Sequence, residues 1–231
     1  MLMQKITEEL LDSIEDYQHA FERSVRIFNG DEVCNVIIPY SIFEIPILNR
    51  AMSLNEGFLT LTKENNYFCA IPMIRMQVDN CILSYAGSLA SDFDDFLHHL
   101  SCGKQIHKYK NPDNNISFFE SKILAKLDND FQGIKAIYQF SSKFVHLTSR
   151  HYTGTLVFSK EGDKVNLDIR TGKYDSNFTE LDKQNLYNIM MKVNDILFNI
   201  TVFWLKGYFQ DYRTRIPWDP NSLIPNNKTE I

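Results

Sequence analysis

Along most of this chain apolar side chains return every third or fourth position, the period of a helix with one buried face. Leu10, Ile14, Tyr17, Phe21 and Val25 predict a first helix over about residues 6–28. Glu8, Glu9, Asp12, Glu15 and Asp16 gather toward its N-terminal end, where the helix dipole favours acids. The apolar segment Val33–Ile47 follows and carries Pro39 and Pro46. Proline is tolerated in a first helical turn, so Pro46 reads as the start of a second helix. That helix carries Ile47, Leu48, Ala51, Leu54, Phe58 and Leu61 and ends in the polar stretch Lys63–Asn66. Pro72 repeats the pattern for a third helix, with Ile71, Ile74, Val78, Cys81, Tyr85 and Leu89 along one stripe.

A short fourth helix is expected over Asp92–Ser101, closed by Gly103 in the position a C-terminal cap favours. Lys104–Asn115 is a breaker-rich loop. Ser117 and Glu120 have capping-box spacing and predict a helix to about Asp128. Asp130 is the expected cap of the next, whose apolar positions Ile134, Ile137, Tyr138, Phe144 and Val145 run to about Thr148. The period then changes to two. The segments TLVFS and KVNLDIR flank Glu161-Gly162-Asp163 and predict a β-hairpin over about 154–170. Thr179 and Asp182 restart a helix, and Leu181–Gln210 is the longest, with Leu186, Ile189, Val193, Ile196, Leu197, Ile200 and Trp204 as its buried stripe. The pattern therefore predicts a mainly α protein: one antiparallel helical bundle over 1–215, with a small β-hairpin inserted before the last long helix. A Pro/Asn-rich tail over 216–231 follows.

Composition supports this picture and narrows the partners. Nine glycines and seven prolines in 231 residues punctuate the chain sparsely, which suits long helices. Lys and Arg total 24 against 29 for Asp and Glu, and a net charge of −5 argues against a dedicated duplex-DNA binder. The N-terminal residues lack an apolar stretch of signal-peptide length, and Ile189–Phe209 is broken by Lys192, Asn194, Asp195, Asn199 and Lys206. No membrane association and a cytoplasmic location are expected. Cys34, Cys69, Cys81 and Cys102 lack paired spacing and read as reduced thiols.

Familiar nucleotide, zinc-protease and esterase motifs are absent, and no cofactor is implied. Asp94, Asp95, His98, His99, Cys102 and His107 read better as an exposed amphipathic turn than as a metal site, because a second closely spaced ligand pair is missing. In the loop after them, Lys104, His107, Lys108 and Lys110 surround Tyr109. Lysines on a loop of an acidic protein usually read as solvated charges. The functional alternative is a single-stranded RNA held by phosphate contact and by stacking on the ring. Arg75 is the sharper anomaly, since Ile71, Val78 and Ile82 place it on or beside a buried face, with Asp79 one turn on. Tyr138, Ser142, His146 and Ser149 form a matching polar stripe on another core helix. Two readings follow from these residues: a buried network in which Arg75 is neutralised by Asp79, or a site in which the two stripes face each other and act on a ligand.

At these residues the chain resembles a known group. Ala70–Ala90 and Ile137–Ser149 are similar to uncharacterised bacterial helical proteins at the edge of the HEPN superfamily, including abortive-infection-like proteins. The resemblance implies a compact bundle, often dimeric, that works in defence or toxin–antitoxin systems through a protein partner or RNA. It also implies, for many members, a metal-independent endoribonuclease with an arginine on the phosphate and a histidine moving protons. That signature puts both residues on one helix. Here no histidine follows Arg75 on its helix, so His146 would have to serve from another, with Ser142 or Tyr138 orienting it. The expectation is accordingly a non-catalytic interaction protein, with a ribonuclease using a split Arg75/His146 site as the alternative.

Overall fold

The computed structural model describes residues 2–29, 39–112, 116–145, 156–161, 164–169 and 178–212. These form α1 (Leu2–Phe28), α2 (Pro39–Lys63), α3 (Tyr67–Leu89), α4 (Phe93–Ser101), a 3-10 turn at Ile106–Lys108, α5 (Glu120–Asp130), α6 (Ile134–Val145), β1 (Leu156–Glu161), β2 (Lys164–Ile169) and α7 (Glu180–Tyr212). The protein is a mainly α antiparallel bundle with one two-stranded sheet before its last long helix, as the periodicity predicts. The hairpin lies in the expected place, but Glu161, expected in the turn, ends β1 and pairs with Lys164, while Leu156 pairs with Ile169. The tail at 216–231 and the residues 146–148 expected at the end of α6 lie outside the described residues.

Each helix begins or ends where its local chemistry allows, with four departures from the expected boundaries. Pro46 and Pro72 do not start their helices but lie inside α2 and α3. The loss of one intrahelical bond at each is outweighed by the burial of apolar residues ahead of them, Phe43 in α2, Tyr67 and Ala70 in α3. The Ser117/Glu120 capping box does not form. The helix starts at Glu120 and its carboxylate leaves for Arg75. Asp130 does not cap α6 either, because it accepts the Tyr85 hydroxyl at 2.5 Å. Asp128 takes the role, accepting from the amides of Gly133 and Lys135 at 3.0 Å. At α7 the expected reciprocal cap is present: the Asp182 amide donates to Thr179 Oγ1 (3.2 Å), and Asp182 Oδ2 accepts from the Thr179 amide (2.9 Å).

The predicted stripe of α7 is buried except for Ile189, which is half-buried, and Tyr187 and Met190 join it. The hub, however, is α3 rather than α7. Helices α2, α4, α5, α6 and α7 all pack against it, and Cys69 is the only exposed residue along its length. α1 packs on α2 and α7, where Tyr17 donates a hydrogen bond to Asp195 at 3.0 Å. A polar chain crosses the core between α2, α3 and α7. Arg50 donates to Asn80 Oδ1 (2.5 Å) and Asn80 to Gln77 (2.9 Å). Gln77 then donates to Asn194 (2.7 Å), and Asn194 to Asn55 (3.0 Å). Amides buried this way find each other in only one register, so they select it.

At the other end of α3, Tyr40, Phe43, Phe93 and Trp204 form a tilted and edge-on ring cluster, with Trp204 centroids 4.9 Å from Phe93 and 5.5 Å from Phe43. Such pairs contribute about 0.5–1.5 kcal/mol each beyond the area they bury. Gly87 is what lets the rings approach, since a Cβ there would stand 2.7 Å from the Phe43 ring. Phe43 is hemmed in by Phe93, Phe96 and Trp204 and cannot swing aside. Gly87→Ala should therefore destabilise the protein by about 1–3 kcal/mol through overpacking. That loss outweighs the gain of about 1 kcal/mol that alanine normally has over glycine inside a helix. Urea titration checks it, and an unchanged or raised midpoint would refute the close packing.

Candidate functional site

Three of the four residues expected to form a site do meet. Arg75 lies on α3 with its side chain 14% exposed. Its Nε donates to Ser142 Oγ at 3.0 Å, and its guanidinium carbon lies 3.8 Å from the centroid of the Tyr138 ring. The fourth residue, His146, lies outside the described residues, as does Ser149. The cluster is assembled by α3, α5 and α6, because Ser142 and Tyr138 are one turn apart on α6 and Glu120 opens α5.

Three of the five guanidinium N–H donors are engaged. One terminal nitrogen pairs with Asp79, and the other donates to Glu120 Oε1 at 2.7 Å. With Nε on Ser142 and a face on Tyr138, each nitrogen has one N–H engaged and two carboxylates neutralise one cation. Ser142 is equally spent, since its hydroxyl hydrogen goes to the Tyr138 carbonyl at 2.7 Å. Burial, then the Glu120 carboxylate, holds the Tyr138 phenol above its ordinary range, so it keeps its proton near neutrality. Asp79 was legible as the local partner of Arg75. Glu120 was not, because its spacing to Ser117 also fits a helix cap.

Beside this cluster α5 and α6 enclose an open cleft of about 440 Å³, walled by Phe119, Glu120, Ser121, Leu124, Lys135, Tyr138 and Gln139. Phe119 is 59% exposed and stacks on His107, with ring centroids 5.7 Å apart and planes 18° off parallel. The basic loop therefore does reach the rim of the cleft. Lys104, His107, Lys108 and Lys110 are exposed. Tyr109, expected between them as the stacking ring, is instead buried at 5% exposure, donating to the Asp92 carbonyl and packing on Phe96 and Phe118. His99 meets the Gln105 carbonyl at 3.0 Å, and His98 contacts Cys102 at 3.7 Å. Among the described residues no cluster of three or more His, Cys, Asp or Glu is placed to hold a metal ion.

One further polar group went unnoticed in the sequence, although a lone acid in an apolar run was a visible signal. Glu44 is fully buried beside Ser84 and Trp204. Comparison with protein-family models, with curated proteins and with solved structures finds no match to this chain. Among the described residues no helix is long and apolar enough to cross a membrane.

The geometry makes Arg75 a clamp that joins three helices. Arg75→Ala should destabilise the fold by about 1–3 kcal/mol, a figure kept low because Asp79 and Glu120 are partly exposed and screened by water. Arg75→Lys should recover little of it, since an ammonium cannot serve Ser142, Asp79 and Glu120 in one plane. Chemical unfolding of the two variants provides the check, and full recovery by lysine would show that charge alone matters.

Proposed function

We propose that this chain is a non-catalytic interaction protein: a HEPN-like helical component of a bacterial defence or toxin–antitoxin system that acts by docking to a partner. The engagement of Arg75 within its cluster carries this reading. A guanidinium that stabilises a phosphorane must point open donors at the place where charge develops. Here three of its five donors are already on Asp79, Glu120 and Ser142. The hairpin supports docking. Val165, Leu167 and Ile169 alternate along β2, are 67%, 51% and 58% exposed, and lie on the face that Leu156 shares through its pairing with Ile169. Alternating apolar residues on an exposed face are the residue type expected of an interface between copies.

A second reading, a metal-independent endoribonuclease, has one observation in its favour: Arg75, Tyr138 and Ser142 converge at the edge of a cleft rimmed by a basic loop. The two differ in outcome. Purified protein incubated with RNA in EDTA should leave it intact. Cleavage to cyclic-phosphate ends, lost in both Arg75→Ala and His146→Ala, would establish the second reading instead.

Self-association is the companion expectation. Sedimentation at micromolar concentration should show dimers, and Leu167→Asp, placed on an exposed strand, should shift them toward monomer. A monomeric profile over a wide dilution series would remove the homodimer.

A further inference from the structure

Glu44 stands two residues ahead of Pro46 in α2. Proline brings no amide hydrogen, so the carbonyl of Ile42 loses its intrahelical donor. The segment Pro39–Ile45 is thereby joined to the rest of α2 through a weakened turn. What holds this segment down is side-chain chemistry. Glu44 Oε1 accepts from Ser84 Oγ at 2.5 Å, and Ser84 Oγ accepts in turn from Trp204 Nε1 at 3.1 Å. Tyr40 and Phe43 close over Phe93 and Trp204 on either side of that bond. Glu44 Oε2 is buried without a hydrogen-bond partner among the described residues. An ionised carboxylate with an empty oxygen is costly in such a place, whereas a neutral acid is tolerated.

We propose that Glu44 is a proton-operated latch: as the neutral acid it locks the segment ahead of Pro46 onto α3 and the Trp204 ring, and as the carboxylate it lets that segment detach. Burial, offset only in part by the Ser84 hydrogen bond, pushes the pKa up to about 8. On the helices packed against α2, Glu22, Arg23 and Arg26 of α1, Asp94, Asp95 and His98 of α4 and Lys206 of α7 are exposed to water. α3 carries Cys81, whose ionisation is coupled to Glu44. Burial first, and this carboxylate in addition, push its thiol up, so it stays neutral and offers no countercharge. α4 and α7 meet this part of α2 with the rings of Phe93, Phe96 and Trp204. Detachment uncovers those rings, which makes an aromatic patch available on the alkaline side of neutrality.

The sign follows from proton counting. A detached Glu44 titrates near its ordinary 4.5 and an attached one near 8, so between these values the attached state holds one proton more. The latch is fully effective below about 4.5 and weakens by up to tenfold per pH unit until the pH passes about 8.

The direct experiment is hydrogen exchange on the full chain from pH 6.5 to 9.5, corrected for intrinsic rates. Protection of the amides of residues 40–45 should fall with rising pH by up to tenfold per unit and level off above about 8, while residues 50–62 of the same helix change little. Glu44→Gln should hold protection constant across the range. Flat protection in the unaltered chain, or the same decline in Glu44→Gln, overturns the latch. The unaltered chain gives a second readout independent of that variant. Its infrared spectrum at pH 7 should contain the carbonyl stretch of a protonated carboxylic acid, lost by pH 9.5, and absence of that band at pH 7 also overturns the proposal.

Discussion

A helix enclosed on nearly all sides has no water to turn to, and α3 is in that position with Cys69 as its one exposed residue. Its buried polar groups therefore look to neighbouring helices, while Asp79 and Ser88 find partners within α3 itself. Arg75 reaches α5 and α6 through Glu120 and Ser142. Gln77 and Asn80 reach α7 and α2 through Asn194 and Arg50. Ser84 lies between Glu44 and Trp204, and Tyr85 reaches Asp130. A satisfied hydrogen bond contributes only about 0.5–1.5 kcal/mol net, while leaving a buried partner unmade costs about 1–3 kcal/mol. These contacts thus say less about how stable the bundle is than about which arrangement of helices it accepts.

That division explains what could be read from the residues alone. One-sided helices were legible: the α7 stripe, the α4 cap and the Thr179 start depend on neighbours in sequence. The hairpin was legible because period two and a Gly-containing turn are local as well. The α3 pattern misled, since a helix buried all round loses its amphipathic contrast. Ile71 and Leu89 fall on one apolar stripe by spacing, but Gln77, Asn80 and Ser84, outside that stripe, are buried as well. The failed caps share one physical cause. Glu120 and Asp130 have the right spacing to cap their helices, but a distant arginine and a distant tyrosine compete for them and win. Spacing reports a local option, and burial decides whether it is used.

The candidate site shows the same competition in chemical form. Arg75, Ser142 and Tyr138 are residue types that catalysis employs, and they do come together. One N–H on each Arg75 nitrogen and the Ser142 hydroxyl hydrogen are spent within the cluster, on Ser142, Asp79, Glu120 and the Tyr138 carbonyl. The cleft beside them is walled mainly by other side chains, with Phe119 and His107 stacked at its rim.

The pairing of α1 with α7 carries a consequence for how the chain is made. The Tyr17–Asp195 bond spans 178 residues, and much of the apolar face of α1 waits for a helix synthesised last. At about 5–20 residues per second that interval is roughly 9–36 s on the ribosome. Until then Phe21 lacks Phe198 of α7, against which its ring packs. The nascent chain is thus an incomplete bundle with an open seam, the form in which chaperones and proteases first meet it.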